Sequence, residues 1–296
     1  MADFNIIKPS VERIDEPDNL KRIELAGRVC YKSEGKITEG TAEAFCRRIL
    51  NSGHHSVLEH SNVIVRLPLY VGRGIIRAIH DYTALTHKPG RLNRTARMDS
   101  MIISGNVRAW RDILSTIVDR FNFAGHPLLD VGGSGLDLTG YIVSVDSLGI
   151  AERQVHDRIT LRITCDRGVS HELVRHRVMS FSQESTRYVN YGKRGYTFIE
   201  PWWWEDMPRS PMRSLMWNEM KSGVKAYDHL IAEGATPQLA RAVLPNMIKT
   251  EVVVTATPLE WTDFLRLRTD KAAHPDMRRI ADMVRIELGK DIFNFT

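Results

Sequence analysis

The sequence predicts an α+β fold, and three observations support that prediction. Segments with apolar residues at helical spacing outnumber segments that alternate like strands. The strand-like segments do not alternate regularly with helices, as they would in a doubly wound parallel sheet. No glycine-rich dinucleotide fingerprint follows a strand pattern. With 296 residues, 43% of them hydrophobic, the chain can bury a large core, and we expect one domain over residues 1–296.

The first predicted elements are two helices and a strand. Apolar residues recur at helical intervals after Asp18, which can cap the first helix. Residues 41–50 predict a second helix that ends near Gly53, and residues 61–67 predict a strand. Residues 157–165 alternate apolar and polar side chains as a half-buried strand does. We expect these two strands to be neighbours.

The C-terminal half is predicted to be mainly helical. Ser170 can cap a short helix, and Ser210, followed by a proline, opens a long helix that ends at Gly234. The remaining predicted elements are a helix opened by Thr236 and Pro237, a strand over residues 250–255, a helix over residues 261–268 and a final helix from about Pro275.

Charge and cysteine content limit the class of protein. The formal charge of +5 and the pI near 9.1 suit anionic partners, but the excess is too modest to choose among them. We find no basic stripe or reading module of a nucleic-acid-binding protein. The chain start lacks signal-peptide features, and no apolar run approaches the roughly 20 residues that span a bilayer. Cys30, Cys46 and Cys165 have no metal-ligand spacing, so we expect reduced thiols and a cytoplasmic protein.

Residues 171–188 combine cations with many hydrogen-bonding side chains. Arg175, His176 and Arg177 are consecutive, and Arg187 adds a third guanidinium. Guanidinium groups grip phosphate oxygens with paired hydrogen bonds. A nucleotide base and sugar would use the donors and acceptors of Ser180, Ser182, Gln183, Glu184, Ser185 and Thr186. The segment therefore predicts a nucleotide site, with a solvated basic loop as the alternative.

Several histidines raise the question of a metal site. His55 and His60 lie five residues apart with Glu59 between them, a spacing found neither in zincins nor in zinc fingers. His171 and His176 would point about 140° apart on a helix. We therefore expect structural or capping roles for these histidines, and no metal.

The signature of flavin-dependent thymidylate synthases, the ThyX family, is matched in full by Arg175, His176, Arg177, Ser180, Ser185 and Arg187. Residues 55–60, 238–245 and 265–268 resemble three further motifs of the family, in family order. On these motifs the chain resembles a ThyX protein. The resemblance implies a ThyX-like fold, with helices around a central, mostly antiparallel sheet.

The resemblance also implies a reaction, the reductive methylation of dUMP to dTMP. 5,10-Methylenetetrahydrofolate would give the carbon, tightly bound FAD would carry the hydride and NADPH would reduce the flavin. Uracil C5 is a weak nucleophile, and the family is thought to polarise the ring with an arginine, here Arg268, without a cysteine nucleophile. The family's sites form between subunits of a homotetramer, and no nucleic acid or membrane is expected as a partner.

Site residues follow from the same resemblance, position by position. Those for dUMP are Glu172, Arg175, Gln183, Glu184, Ser185, Thr186, Arg187, Arg241 and Arg268. Those for FAD are His60, Arg175, His176, Arg177, Gln183, Thr257 and Asp263. Arg187 and Arg241 would serve the dUMP phosphate. The chain departs from the residues common in the family at Glu172, Gln183, Asp263 and His274.

Residues 68–156 have no firm counterpart in short members of the family, so we expect an insertion within the single domain. Inside it, residues 110–121 predict an amphipathic helix, and residues 141–145 alternate like a strand. Residues 132–135 are rich in glycine but lack the Gly-Lys-Ser/Thr of a phosphate loop, so they predict a turn. The insertion also contains the basic residues Lys88, Arg91 and Arg94. They could reach a substrate tail or form a solvated basic loop.

Two other classes of protein stay open. A nucleic-acid-binding protein would use the basic residues between 175 and 187 together with the tryptophans at 202–204. A metal-dependent hydrolase would use His54, His55, His60, His171 and His176. Neither class predicts the four ordered motifs.

Overall fold

The structure is a computed structural model that describes residues 4–86, 92–117, 119–208 and 210–289, and it confirms the predicted α+β class. The helices are α1 (Asn19–Tyr31), α2 (Thr41–Ser52), α3 (Leu69–Thr86), α4 (Val107–Ile117), α5 (Ile150–His156), α6 (Arg167–Leu173), α7 (Tyr191–Arg194), α8 (Pro211–Ala232), α9 (Pro237–Ala240), α10 (Pro258–Arg268) and α11 (Pro275–Leu288). The strands are β1 (Phe4–Ile7), β2 (Ser10–Arg13), β3 (Val63–Pro68), β4 (Asn93–Ala96), β5 (Ser100–Gly105), β6 (Phe121–Asn122), β7 (Leu136–Asp137), β8 (Ile159–Asp166), β9 (Ser180–Gln183), β10 (Tyr196–Ile199) and β11 (Lys249–Ala256).

Local signals set the ends of several predicted helices. Asp18 accepts a hydrogen bond from the Leu20 backbone N–H at 2.7 Å and so caps α1. Gly53 ends α2 with a φ of 75°, a backbone conformation that glycine adopts without strain. The predicted cap at Ser170 was wrong. Asp166 caps α6 instead, accepting from the Val169 N–H at 2.8 Å, because the helix begins earlier than the sequence pattern indicated.

The larger sheet has the order β2-β8-β11-β9, and all of its pairs are antiparallel. The apolar face of β8 and β11 packs against α10 and α11. Trp261, Phe264 and Ile280 are almost wholly buried in this cluster. Burying such side chains contributes about 1.5–3 kcal/mol each to the hydrophobic stabilisation. This sheet positions the segment 171–188, because β9 forms its edge strand.

A second antiparallel sheet has the order β3-β5-β4. The expectation that strands 61–67 and 157–165 are neighbours was therefore wrong. β3 pairs with β5 because the chain that follows β3 supplies two partner strands of its own. Trp110 of α4 and Phe123 fill the core beside this sheet.

Within residues 68–156, one predicted element is confirmed and one is wrong. Helix α4 confirms most of the predicted helix over residues 110–121, although Phe121 belongs to β6. Residues 141–145 form no strand. Tyr141 ends one short 3-10 helix, Val145 begins another, and Ile142 makes an isolated bridge to Val65. Val118, Lys88 and Arg91 lie outside the described residues. Among those that are described, no helix has the combined length and hydrophobicity of a bilayer-spanning segment.

The two sheets contain the same arrangement of elements. In the first unit, defined as residues 60–117, the order is β3, α3, β4, β5, α4, and in the second unit, residues 156–268, it is β8, α6, β9, β11, α10, with α7 to α9 and β10 between β9 and β11. The central strand in each unit is the one before the last helix. Trp110 Nε1 donates to the Val63 carbonyl at 3.1 Å, and Trp261 Nε1 donates to the Ile159 carbonyl at 3.2 Å. Both acceptors begin the first strand of their unit.

A histidine before each first strand links the two units. His60 Nδ1 lies 2.8 Å from Thr255 Oγ1, and His156 Nδ1 lies 2.8 Å from Ser104 Oγ. Ser104 and Thr255 occupy the same position in their central strands, one residue before the partners of Val63 and Ile159. Each histidine therefore bonds to the central strand of the other unit. The packing between the units is reciprocal.

Candidate active site

One cavity collects most of the residues predicted to bind dUMP. It has a volume of about 320 Å³ and lies at the edge strand β9 and the end of α1. The predicted residues that line it are Gln183, Glu184, Ser185, Thr186, Arg187 and Arg241. Cys30, Tyr31 and Ser56 form part of its remaining wall. The structure thus brings together segments 183–187 and 241, which lie far apart in the sequence.

Backbone hydrogen bonds hold the cavity wall in place. The chain leaves the sheet after β9, where the Glu184 N–H donates to the Glu251 carbonyl at 2.8 Å. The Ser185 N–H then donates to the Cys30 carbonyl at 2.9 Å. Arg241 Nη1 donates to Thr186 Oγ1 at 3.1 Å, which joins the two cationic segments. The exposed guanidinium of Arg187 stacks over the Tyr188 ring at 5.3 Å.

Helix α8 sets the position of the Arg241 segment through Gly223. A Cβ atom at residue 223 would lie 2.9 Å from both the Val243 carbonyl oxygen and Pro245 Cδ. Glycine is therefore needed for the helix to approach this segment.

Glu184 is the most enclosed of the predicted dUMP residues, with 2% exposure. Its carboxylate lies 3.2 Å from Lys249 Nζ and accepts a hydrogen bond from the Tyr191 hydroxyl at 3.2 Å. Lys249 also pairs with Glu251 at 2.6 Å, and Lys32 with Glu251 at 2.5 Å. Burial lowers the pKa of Lys249, but the two carboxylates outweigh it and raise that pKa above the ordinary value. Glu184 therefore joins the cavity to a paired, largely buried charge cluster.

Sequence reasoning missed Lys32, Lys249 and Tyr191. These residues come from three elements, so no spacing in the sequence connects them to Glu184. The available signal was in β11, where Lys249 and Glu251 are two residues apart and share one face of a strand that has no other charged residue.

Gln183 faces α6. Its side-chain nitrogen donates to Ser170 Oγ at 2.8 Å and to Thr250 Oγ1 at 3.2 Å. Hydroxyl groups can donate as well as accept, so the same two partners would suit a carboxylate. The departure from the glutamate common in the family is compatible with this contact.

A second group of predicted residues gathers around Arg268 at the end of α10. Its guanidinium donates to Glu172 Oε2 at 2.8 Å, to the Glu172 carbonyl at 3.1 Å and, through Nε, to His176 Nε2 at 2.9 Å. His176 Nε2 is therefore the acceptor and carries no proton. Burial, together with the charge of Arg268, lowers the pKa of His176. Arg268 is thus held in a fixed orientation beside a neutral imidazole.

Arg175 and Arg177 are exposed, and neither makes a side-chain hydrogen bond or ion pair within the described part of the chain. Arg177 lines a cavity of about 300 Å³ together with Asn106, Arg108 and Asp112 of the first unit. Arg108 lies in this cavity in an ion pair with Glu59 at 2.6 Å. The cavity joins the two units at the signature segment.

The other residues predicted for FAD lie apart from that cavity. His60 is fully buried, and its Nε2 has no hydrogen-bond partner among the described residues. The Thr257 side chain caps α10 by accepting from the Glu260 N–H at 3.2 Å. Asp263 is exposed and pairs with Arg266 at 3.3 Å. No cluster of three or more His, Cys, Asp or Glu that could hold a metal is present among the described residues.

The cysteines differ in their surroundings. Cys46 and Cys165 are buried in the core, whereas Cys30 is only partly buried and lines the cavity at β9. Burial raises the pKa of Cys30, so its sulfur stays a protonated thiol near neutral pH. A thiol in this state is a poor nucleophile.

The family comparison covers the beginning of the first unit and the whole of the second unit. The family model described as thymidylate synthase complementing protein matches residues 13–78 and 138–291. A flavin-dependent thymidylate synthase of Geobacter sulfurreducens is 32% identical over 158 residues, which are 53% of this chain and 67% of the relative. The enzyme of the same name from Thermococcus onnurineus is 32% identical over 130 residues, 43% of this chain and 52% of the relative.

The Mycobacterium tuberculosis relative of the same name is 29% identical over 158 residues, 48% of this chain and 62% of the relative. The chain thus spans about half to two thirds of the length of these relatives. Among solved structures, the UMP/dUMP methylase PolB from Streptomyces cacaoi bound with 5-Br dUMP has a TM-score of 0.44 and 16% identity, over 97% of this chain and 93% of that chain. The family model leaves residues 79–137 unmatched, a range inside the predicted insertion.

Proposed function

The chain belongs to the thymidylate synthase complementing protein family, and we propose that it catalyses the FAD-dependent reductive methylation of dUMP to dTMP. 5,10-Methylenetetrahydrofolate is the proposed carbon donor and NADPH the reductant. The observation that carries this proposal is the cavity where Arg187 and Arg241 meet the hydrogen-bonding run from Gln183 to Thr186. A permanent cation pair beside donors and acceptors suits a nucleoside monophosphate.

Within this cavity the chain's residues have separate proposed tasks. Arg187 and Arg241 bind the phosphate, and the bond from Arg241 to Thr186 fixes the distance between their segments. Ser185 and Thr186 offer hydroxyls to the sugar and phosphate. Glu184 is fixed by Lys249 and Tyr191, so it supports the wall as a positioned carboxylate. Preorganised groups of this kind save the cost of ordering side chains when the ligand binds.

Arg268 is the proposed catalytic residue. Methylation at uracil C5 moves negative charge onto N3 and the ring oxygens, and a nearby guanidinium stabilises that charge more in the transition state than in the ground state. Glu172 and His176 orient Arg268 in the structure. The Cys30 thiol is protonated, which supports a mechanism without cysteine addition.

The residues of the signature suit a flavin dinucleotide. Arg175 and Arg177 have no partner within the described part of the chain, and free guanidiniums match the diphosphate of FAD. When bound, FAD supplies the hydride chemistry that amino-acid side chains lack. We propose that Arg175, His176, Arg177, Gln183 and His60 contribute to its site. Thr257 and Asp263 are also proposed as FAD contacts. Asn106 and Asp112, which occupy the same positions in the first unit, line the cavity that contains Arg177.

A homotetramer with sites between subunits is also proposed. Exposed apolar side chains flank two of the arginines proposed for dUMP, with Leu239 and Val243 near Arg241 in the sequence and Leu267 next to Arg268. Apolar groups placed this way favour contact with another copy of the chain. We also propose a single domain with an insertion at about residues 68–156, and a cytoplasmic location, which three free cysteines support.

The decisive experiment records the visible spectrum of the purified protein with added FAD and reduces it anaerobically with NADPH. dUMP and 5,10-methylenetetrahydrofolate are then added while flavin oxidation and dTMP are followed. dTMP formed only when both substrates are present would support the proposal. A protein that takes up no FAD and makes no dTMP would refute it. Sedimentation of the same sample measures the assembly, and a monomer with full activity would exclude sites between subunits.

A further inference from the structure

A separate cavity lies in the first unit between α3 and the strands β4 and β5. Its volume is about 550 Å³, within the range of small-molecule sites. The residues that line it are Arg73, Ile76, Arg77 and His80 of α3, Arg94 and Ala96 of β4, and Met101 of β5. It shares none of these residues with the cavities of the candidate active site.

The three arginines that line this cavity have no charged partner among the described residues. Arg73 and Arg77 lie one turn apart on α3, and Arg94 faces them from β4. None of the three makes a hydrogen bond or ion pair with the residues that the structure describes, and no carboxylate is among the described residues that line the cavity. Like charges at this helical spacing destabilise the helix unless an anion lies between them. The arrangement therefore favours a negatively charged ligand.

The apolar residues of the cavity narrow the class of ligand. Ile76 and Met101 are partly or fully buried and line the cavity with Ala96. A bare inorganic anion would gain nothing from these side chains, whereas an organic group attached to a phosphate could cover them. Guanidinium groups beside an apolar wall thus match a phosphate ester.

The internal repeat gives independent support. Helices α3 and α6 both begin directly after the first strand of their unit, so counting from Leu69 and Arg167 puts Arg77 at the position of Arg175. In the edge strands, Asn93 pairs with Ser104, and Ser180 pairs with Thr255. Asn93 and Ser180 are therefore equivalent. Three residues further along each strand, Ala96 stands at the position of Gln183. The cavity therefore occupies the place where the second unit carries two residues of its nucleotide-binding segment.

We propose that this cavity is a second ligand site, which binds a small organic phosphate monoester. Arg73, Arg77 and Arg94 hold the phosphate, and Ile76, Ala96 and Met101 contact the organic group. The proposal does not depend on the methylation reaction, although its support from the repeat rests on the nucleotide site proposed for the second unit.

The test uses calorimetric titration of the full chain carrying Arg187→Ala, which weakens phosphate binding in the candidate active site. The probes are phenyl phosphate and inorganic phosphate at low ionic strength, where charge interactions are least screened. Phenyl phosphate should bind more tightly than inorganic phosphate. Adding Arg77→Ala should weaken phenyl phosphate binding about tenfold or more, the usual effect of losing a charge-assisted contact.

Two further variants keep the test specific. Ala96→Glu places a carboxylate at an exposed position of the cavity and should abolish binding while leaving all three arginines in place. Arg285→Ala removes the same charge from α11, where Arg285 pairs with Asp282 at 2.9 Å, and should leave binding unchanged. Unchanged affinity in both cavity variants, an equal loss in Arg285→Ala, or equal affinities for the two probes would overturn the proposal.

Discussion

The first and second units share a strand order but differ in the side chains that could do chemistry. Each has a tryptophan that anchors its last helix to its first strand and a histidine that bonds to the other unit. Seven residues after the tryptophan, the second unit has Arg268, whereas the first has the buried Ile117. The scaffold is thus preserved by a few packing and hydrogen-bond contacts, and the reactive groups can be present in one copy only.

The connections between strands differ as well. In the first unit, β4 and β5 are joined by only a few residues, from Ala96 to Ser100. In the second unit, residues 184–248 separate the equivalent strands β9 and β11. This long connection contains Arg187 and Arg241, which line the same cavity. The long connection thus carries several of the residues proposed for dUMP, while the short hairpin of the first unit carries none of them.

The largest expected effect comes from removing the group that only the second unit has. Arg268→Ala should lower dTMP formation by about 10²–10³-fold, the usual cost of losing one donor to a developing negative charge. Binding of dUMP should remain measurable because Arg187 and Arg241 are untouched, and binding of FAD because Arg268 is not among the residues proposed for it. Rates are measured under saturating substrates, with circular dichroism to check the fold and Arg285→Ala as the matched control. Full turnover in Arg268→Ala would remove the polarisation role.

The tryptophans test whether the two units are equivalent as scaffolds. Trp110→Phe and Trp261→Phe should each lower the free energy of unfolding by about 2–3 kcal/mol, because each removes buried volume and an indole hydrogen bond to a strand carbonyl. Urea denaturation gives the comparison. Trp202→Phe is the control, since this side chain is 48% exposed and should change stability by less than about 0.5 kcal/mol. A large loss of stability in only one of the two variants would show that the tryptophan contact stabilises the two units to different extents.

The sequence predicted the fold class, most helix ends and the grouping of Gln183 to Arg187, because caps, periodicity and the signature are all local. It did not predict the pairing of β3, because either strand 100–105 or strand 157–165 could bury its apolar face. It also missed the repeat. A short shared pattern is visible in the sequence, because Trp110 and Asp112 have the same spacing as Trp261 and Asp263. Two matching positions are too few to indicate a repeat until the strand pairing shows that they are equivalent.

The linking histidines should make stability depend on pH. Burial, with Arg22 and Arg158 nearby, lowers the pKa of His60 to about 3, and burial lowers the pKa of His156 to about 4 despite the opposing charge of Glu152. A histidine in the unfolded chain has a pKa of about 6.5, so below that pH the unfolded chain binds a proton at each histidine that the folded chain does not bind. The free energy of unfolding therefore falls as the pH falls. Each histidine contributes at most about 1.4 kcal/mol per pH unit between pH 6.5 and its folded pKa.

His60→Gln and His156→Gln should each reduce this slope in urea titrations between pH 7 and 5. The two histidines also differ. His156 Nε2 has a second bond, to Thr95 Oγ1 at 2.8 Å, whereas His60 Nε2 has none with the described residues. His156→Gln should therefore cost more stability at pH 7, since it breaks two bonds instead of one. A slope unchanged by both substitutions would mean that neither histidine resists protonation in the folded chain.

The smallest expected effect is a change in FAD affinity, which tests whether Asp112 of the first unit or Asp263 of the second unit lies at the proposed flavin site. Asp112 and Asp263 follow their tryptophans by two residues, and both are exposed, so Asp112→Asn and Asp263→Asn should each change stability by less than about 0.5 kcal/mol. Asp112 lines the cavity of Arg177 and lies 3.9 Å from Arg108, so neutralising it removes a negative charge that would repel the FAD diphosphate there. We expect Asp112→Asn to tighten FAD binding by about two- to fivefold in a fluorescence titration, a surface-charge effect. Asp263→Asn should leave it unchanged. The reverse result would assign the flavin contact to the second unit, where the family resemblance first placed it.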